Sequence, residues 1–282
     1  MKKWMVYSII AIIFFFLFTS FLGYFFSIKP PKYLSGLVPK GLGLDYEEVS
    51  FTTEDEIELK GWYIPHESDQ AKTIILLHGY PADKGNILPY LTFLHDNYNL
   101  LLFDFRYHGE SEGGHTTIGA EEVKDLSAAI NWLKEKGVNE VGVWGFSMGG
   151  AVALMSAPEQ PAIKVIVSDS SYAQLSQMAP TLFRIPVLKY PLSWLTLLWT
   201  KTLLGVDPRD ASPKDSATQI DIPLLVIHSK NDRVIPFTHS EQLKESLEHN
   251  DKAEFWFHDN LDHGQFDSQY QERVGDFFLK HL

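Results

Sequence analysis

The stretch EVGVWGFSMGG at residues 140–150 decides the fold. Its first half is an apolar run suited to a buried strand, and the AVALMSA that follows at 151–157 is compatible with a helix. Between them Gly145-Phe146-Ser147-Met148-Gly149 sets a serine two residues from a glycine on either side. A G-x-S-x-G pattern is common by chance; after a strand and before a helix it describes a sharp turn that exposes a serine hydroxyl. Backbone and side chains crowd such a turn, and glycine at both flanks removes the Cβ atoms that would clash. A helix that begins at the serine also aims amide N–H groups at it, where a developing oxyanion can be stabilised. The bland alternative is a tight turn with an idle serine.

Outward from this turn, β-rich apolar runs recur: EEVSFTT (47–53), EIELKGWYI (56–64), TIILLH (73–78), NLLLFDF (99–105), KVIVSDS (164–170), PLLVIHS (223–229) and AEFWFH (253–258). Most are too continuously apolar to be solvated on one face, so they predict a sheet covered on both faces. Helical stretches lie between them. Val123, Leu126, Ile130 and Leu133 mark one over about 118–136, with Glu121 and Glu122 in its first turn, and weaker patterns cover 240–248 and 265–281. Strand and helix alternating in this way predict a mostly parallel, doubly wound sheet. The interval of about 172–216 breaks the rhythm and holds RIPVLKYPLSWLTLLWTKTLLG (184–205), which reads as a helical cap inserted over the sheet edge.

A serine hydroxyl is a poor nucleophile until a base takes its proton, so a histidine and an orienting carboxylate are required. Carboxyl ends of the strands in an open α/β sheet converge on one crevice. Asp232 follows the strand PLLVIHS and His263 follows AEFWFH, which gives the chain order serine, acid, base. Asp169, at the end of KVIVSDS, is the rival acid; Asp262 is expected to face away from the imidazole. Of the 11 histidines, His258 belongs to strand packing, His108 and His115 to a loop, and His66, His95, His239 and His281 read as surface groups. The oxyanion needs two donors: the N–H of Met148, and the N–H of Tyr80 in the loop after TIILL, since Pro81 has none to give.

From about Tyr46 onward, LLHG (76–79), FDFRYHGESEG (103–113), GFSMGG (145–150), HSKNDRVIP (228–236) and LDHG (261–264) come in an order and at spacings that resemble the α/β-hydrolase superfamily. Within it the chain is similar to bacterial serine hydrolases described as lysophospholipase-like or serine-aminopeptidase-like. The resemblance implies the α/β-hydrolase fold, Ser147 as nucleophile, Asp232 as acid, His263 as base, and the Tyr80 and Met148 amides as oxyanion hole. It also implies a structural loop at FDFRYHGESEG near the rim of the site. Arg106-Tyr107-His108-Gly109 departs from the R-G-H-G of many relatives, and a chain without cysteine lacks the nucleophile of the dienelactone hydrolases proper.

Ahead of this domain, Trp4 to Ile28 carries no charged residue. A helix there would run about 37 Å against a hydrocarbon core of ~30 Å. The run stays bulky and offers no A-x-A cleavage site, so residues 1–28 read as an uncleaved transmembrane signal-anchor rather than a secretory signal. Residues 29–45, with three prolines, read as a linker, and 46–282 as the hydrolase domain. Lysines nearly balance across the span. The short tail ahead of it favours an amino terminus in the cytoplasm and an extracytoplasmic domain at the cell membrane.

A net charge of −12 argues against a nucleic-acid partner. No cofactor and no metal site are expected, because no phosphate-cradling glycine loop is present and the spacing of His108 and His115 matches no common metal set. The chemistry is acyl transfer through an acyl-serine, and the apolar cap favours a carboxylic ester with an apolar acyl chain, a lysolipid among them. Two alternatives stand beside it: a serine peptidase of the aminopeptidase or prolyl-oligopeptidase type, and a membrane-anchored binding protein with a vestigial triad.

Overall fold

The computed structural model describes residues 2–282. Helix α1 (Lys2–Ile28) precedes strands β1 (Glu47–Thr52), β2 (Glu58–Ile64) and β3 (Thr73–Leu77). After these come α2 (Lys84–Leu91), β4 (Asn99–Phe103), α3 (Glu122–Glu135), β5 (Val141–Phe146), α4 (Met148–Ser156) and β6 (Ile163–Asp169). The chain ends with α5 (Lys189–Leu204), α6 (Pro213–Ala217), β7 (Leu224–Ser229), α7 (Thr238–Ser246), β8 (Ala253–His258) and α8 (Tyr270–His281). The 8 strands make one sheet in the order β1-β2-β4-β3-β5-β6-β7-β8. Only β1 with β2 and β2 with β4 pair antiparallel; the rest is parallel, the α/β-hydrolase arrangement.

Alternation along each strand divides the core into two layers. Val141 and Val143 of β5 face a cluster with Leu126, Ile130 and Leu133 of α3, while Trp144 faces Val274, Phe277 and Phe278 of α8. Both faces are dry, which is why the strands read as unbroken apolar runs.

Two local expectations are corrected, and the linker is seen to be tied to the domain. Helix α3 starts at Glu122 because that side chain turns inward instead of meeting the helix dipole at the surface. Its oxygens accept from Thr116 and Thr117 hydroxyls and from the amides of Thr117 and Gly119. Burial works against its ionisation, yet these bonds hold its pKa below the ordinary value. His239 is buried, not superficial, and its Nδ1 accepts the amide of Ala173 at 3.0 Å. The segment at 29–45 is docked. Ser35 donates to Asp83 twice, and the Tyr107 hydroxyl donates to the Pro30 carbonyl at 2.9 Å.

Helix α1 is long and apolar enough to cross a membrane. Its first half is exposed on all sides, but Ser20, Tyr24, Ser27 and Ile28, spaced by four, three and one, are buried on one face. That face meets α5. Thr196 Oγ1 donates to the Ser20 carbonyl at 3.1 Å and Trp199 Nε1 to Ser20 Oγ at 3.1 Å. The inserted segment does not lie over a sheet edge; with α1 it roofs the carboxyl ends of the central strands, since both contribute walls to the cavity at Ser147.

Candidate active site

β5 delivers Ser147 into a conformation that few side chains tolerate, φ 53° and ψ −113°. A non-glycine residue there stores about 1–3 kcal/mol unless its surroundings hold it. Two bonds do so: Ser147 N donates to the Asp169 carbonyl at 2.8 Å, and Ala151 N donates to the Ser147 carbonyl as α4 begins. The flanking glycines are required by close approach. A Cβ at Gly145 would lie 2.4 Å from the Gly149 carbonyl oxygen, and one at Gly149 would lie 2.4 Å from that of Leu77.

Asp232 and His263 meet across the loops after β7 and β8, with Nδ1 of His263 2.7 Å from Asp232 Oδ2. The other carboxylate oxygen, Oδ1, accepts the amides of Val234 at 2.8 Å and Ile235 at 2.9 Å. One oxygen is therefore fixed by backbone and the other is left to the imidazole. Burial acts to raise the Asp232 pKa, but the hydrogen bond and charge of His263 and the two amides outweigh it, and the carboxyl is held below its ordinary value. With Asp232 ionised, Nδ1 of His263 carries the proton and Nε2 is free to accept. Phe146 packs on the imidazole with ring centroids 4.8 Å apart. Among the described residues no hydrogen bond joins Ser147 Oγ to His263, a link that often tightens only when substrate binds.

The rival acid is engaged elsewhere. Asp169 Oδ2 accepts from the Tyr270 hydroxyl at 2.6 Å and Oδ1 from Ser170 at 2.9 Å; Trp144 Nε1 in turn donates to the Tyr270 oxygen at 3.0 Å. Burial pushes its carboxyl up to about 6 against those bonds. Asp262 faces its own backbone, accepting the His263 amide at 2.9 Å. His228 stands behind the acid: Nε2 donates to the Ile235 carbonyl at 2.9 Å and Nδ1 accepts from Ser240, and burial lowers its pKa and keeps it neutral.

The loop after β3 brings Tyr80 to the same place. A Cβ on Gly79 would sit 3.2 Å from the Ser147 Cβ. Among the described residues, the amides of Tyr80 and Met148 donate to no protein acceptor, so both remain available to an oxyanion. No group of three or more His, Asp or Glu among the described residues is arranged to hold a metal.

A cavity of about 200 Å³ opens at Ser147. Its walls include Tyr172, Leu175, Met178, Leu182 and Leu197 from the inserted segment, and Ile235 beside Asp232. Ser27 and Ile28 of α1 complete it, and sequence reasoning missed them. The available signal was the polar face in the second half of α1, where Ser20, Tyr24 and Ser27 align on a mostly apolar helix.

Comparison with known proteins agrees with this architecture. Residues 62–275 match the family profile described as X-Pro dipeptidyl-peptidase (S15 family). YqkD of Bacillus subtilis, an uncharacterised protein, is 33% identical over 198 residues, spanning 67% of this chain and 64% of its own length. YfhR of Escherichia coli K12, also uncharacterised, is 30% identical over 250 residues, covering 84% of this chain and 81% of its own. Among solved structures, the Pyrococcus furiosus esterase Pf2001 superposes with a TM-score of 0.76 at 32% identity, over 90% of this chain and 99% of its own. An acylaminoacyl peptidase of Pyrococcus horikoshii shares the fold with a TM-score of 0.63 at 19% identity, over 84% of this chain and 41% of its own.

Proposed function

The chain belongs to the S15 family of α/β hydrolases, and we propose that it is a serine esterase acting on carboxylic esters with an apolar acyl group. Ser147 Oγ attacks the ester carbonyl while His263 Nε2 takes its proton, and Asp232 holds the imidazole in the required tautomer and offsets its positive charge. The Tyr80 and Met148 amides receive the oxyanion. His263 then returns the proton to the departing alkoxide. Water, deprotonated by the same nitrogen, cleaves the acyl-serine to the carboxylic acid and restores the enzyme.

The observation that carries the ester reading is the cavity at Ser147, whose lining residues include no charged side chain. Its volume of about 200 Å³ exceeds the ~150 Å³ of an apolar cavity that accepts benzene, so an acyl chain can enter it without leaving a polar group unpaired. The S15 match gives a peptidase reading its support. Recognition of a charged peptide amine calls for a carboxylate beside the cavity, and none lines it.

The protein is held at the cell membrane by α1 as an uncleaved signal-anchor, with the hydrolase domain on the extracytoplasmic side. The burial of Ser20, Tyr24, Ser27 and Ile28 supports retention, since cleavage after α1 would strip a wall from the cavity. The net charge of −12 speaks against a nucleic-acid partner.

Fluorophosphonate labelling of the full chain in detergent, read by intact mass and peptide mapping, tests the mechanism. Modification at Ser147 that disappears in Ser147→Ala and His263→Ala is expected. Retained p-nitrophenyl butyrate turnover in Ser147→Ala would refute it, and a higher kcat/KM on X-Pro anilides than on esters would select the peptidase.

A further inference from the structure

Helix α1 is two things in sequence. No residue from Lys3 to Phe18 is buried, whereas the turns from Ser20 to Ile28 are built into the hydrolase domain against α5. A Cβ on Gly23 would come within 2.8 Å of the Phe183 ring, and Phe21 and Trp199 pack edge to face at 5.8 Å. The free part spans only about 24 Å at ~1.5 Å per residue, some 6 Å less than a hydrocarbon core of ~30 Å. Tilting the helix enlarges that deficit. For α1 to cross a bilayer, the turns that pack on the cap must lie within the hydrocarbon, and the cap must lie there with them.

The outer surface of the cap is made for that depth. Tyr190, Trp194 and Leu198, spaced by four along α5, are 64%, 64% and 41% exposed on one face. Ile185 and Val187, in the loop ahead of α5, are 56% and 81% exposed. A soluble surface rarely exposes such a strip of large apolar side chains, and the first half of α1, packed by its second half on the same cap, is exposed and apolar as well. Helices that lie in an interface sink their apolar face by ~5–10 Å, which matches the missing length.

The strip also reaches the active site. Leu182 is 46% exposed at its edge and lines the cavity at Ser147, and Ser27 and Ile28 close the same cavity from the α1 side. We infer that the cavity is loaded from the bilayer along the seam between α1 and α5, so that the substrates are esters of membrane-resident amphiphiles whose acyl chain never crosses water. This inference rests on the esterase reading and adds its substrate class and route. A cavity of about 200 Å³ holds part of a long acyl chain, and the remainder stays beside Leu182, Ile185 and Val187 in lipid.

Full-length protein in vesicles of phosphatidylethanolamine and phosphatidylglycerol provides the test. Two substrates are compared, 1-monooleoylglycerol in the vesicle and p-nitrophenyl butyrate in water. In the triple variant Tyr190→Glu, Trp194→Glu, Leu198→Glu, hydrolysis of monooleoylglycerol should fall at least tenfold while butyrate turnover stays within twofold. Equal rates to the wild type on both substrates, or a wild type that cleaves only the soluble ester, overturns the inference. If Ser147→Ala retains turnover of the soluble ester, the esterase reading itself has failed. A second measurement needs no turnover and guards against misfolding of the triple variant. Because the chain has no cysteine, Leu198→Cys takes a single nitroxide, whose relaxation should respond to oxygen more than to a water-soluble nickel chelate. The opposite preference places the cap in water and overturns the inference.

Discussion

Replacing Asp232 by asparagine should cost far more rate than the same change at Asp169, and the hydrogen bonds around the two carboxyls set the size of the difference. Oδ1 of Asp232 accepts two amides, from Val234 and Ile235, so an asparagine there must turn its own oxygen toward them. Its NH2 group then faces Nδ1 of His263, in place of the oxygen that now lies at 2.7 Å. A donor opposite Nδ1 favours the tautomer protonated on Nε2, which has no lone pair for the serine proton. Loss of the base through the wrong tautomer lowers kcat by ~10⁴, or about 5.4 kcal/mol of transition-state stabilisation at 1.36 kcal/mol per decade.

Asp169 acts on the site through its backbone: its carbonyl holds the Ser147 amide at 2.8 Å, and asparagine keeps that bond. Its side chain meets Tyr270 and Ser170, so Asp169→Asn should change kcat less than tenfold. Steady-state hydrolysis of p-nitrophenyl butyrate at pH 8 by the two variants, with circular dichroism to verify folding, measures both. A loss under 100-fold in Asp232→Asn, or a larger loss in Asp169→Asn, would refute the tautomer argument and move the acid to β6.

Gly149→Ala should abolish soluble expression or lower stability by at least about 3 kcal/mol, because its Cβ would lie 2.4 Å from a strand carbonyl that cannot move; thermal unfolding reads it. Burial holds His239 neutral, with its pKa lowered to about 4, so the unfolded chain binds a proton below pH 6.5 that the folded chain refuses. Its contribution is therefore intact above pH 6.5 and is lost as pH falls toward 4, by about 2 kcal/mol at pH 5. In urea titrations His239→Asn should flatten the decline in stability between pH 7 and pH 5 by that amount; an unchanged slope counts against a neutral buried imidazole. Ser20→Leu removes the acceptor of Trp199 Nε1 and adds bulk where Ser20 is fully buried, so the cap should loosen. Faster tryptic cleavage at Arg184 or Lys189 would report it, and an unchanged cleavage rate would mean that the α1–α5 contact does not hold the cap.

What the sequence disclosed depended on whether the determining contact is local. The turn at Gly145–Gly149 announces itself because the residues that crowd it are its own neighbours and the strand beside it. Strands β3 to β7 were legible for a related reason: a strand dry on both faces is written as an unbroken apolar run, as in Thr73–Leu77. The meeting of Asp232 and His263 was legible from topology, since two consecutive parallel strands must end on the same side of the sheet. The start of α3 was missed because Glu122, an ordinary first-turn acid in sequence, is claimed by two threonines folded back over it. His239 was missed because its partner, the amide of Ala173, lies 66 residues away.

The same distinction separates reaction from substrate. Every group assigned to bond making follows the carboxyl end of a strand, β3, β5, β7 or β8, on one side of the sheet. The cavity proposed to select the acyl group is lined by Ser27 and Ile28, the segment around Leu182, and Leu197 of α5, pieces brought together by the packing of α1 on the cap. Substitutions along that seam can therefore alter which ester is bound while leaving the turn, the acid and the base untouched. A relative that keeps G-F-S-M-G-G but lacks the polar face Ser20-Tyr24-Ser27 should share the chemistry and differ in substrate, because its first helix would lose the bond from Trp199 and the small side chains that let it close the cavity.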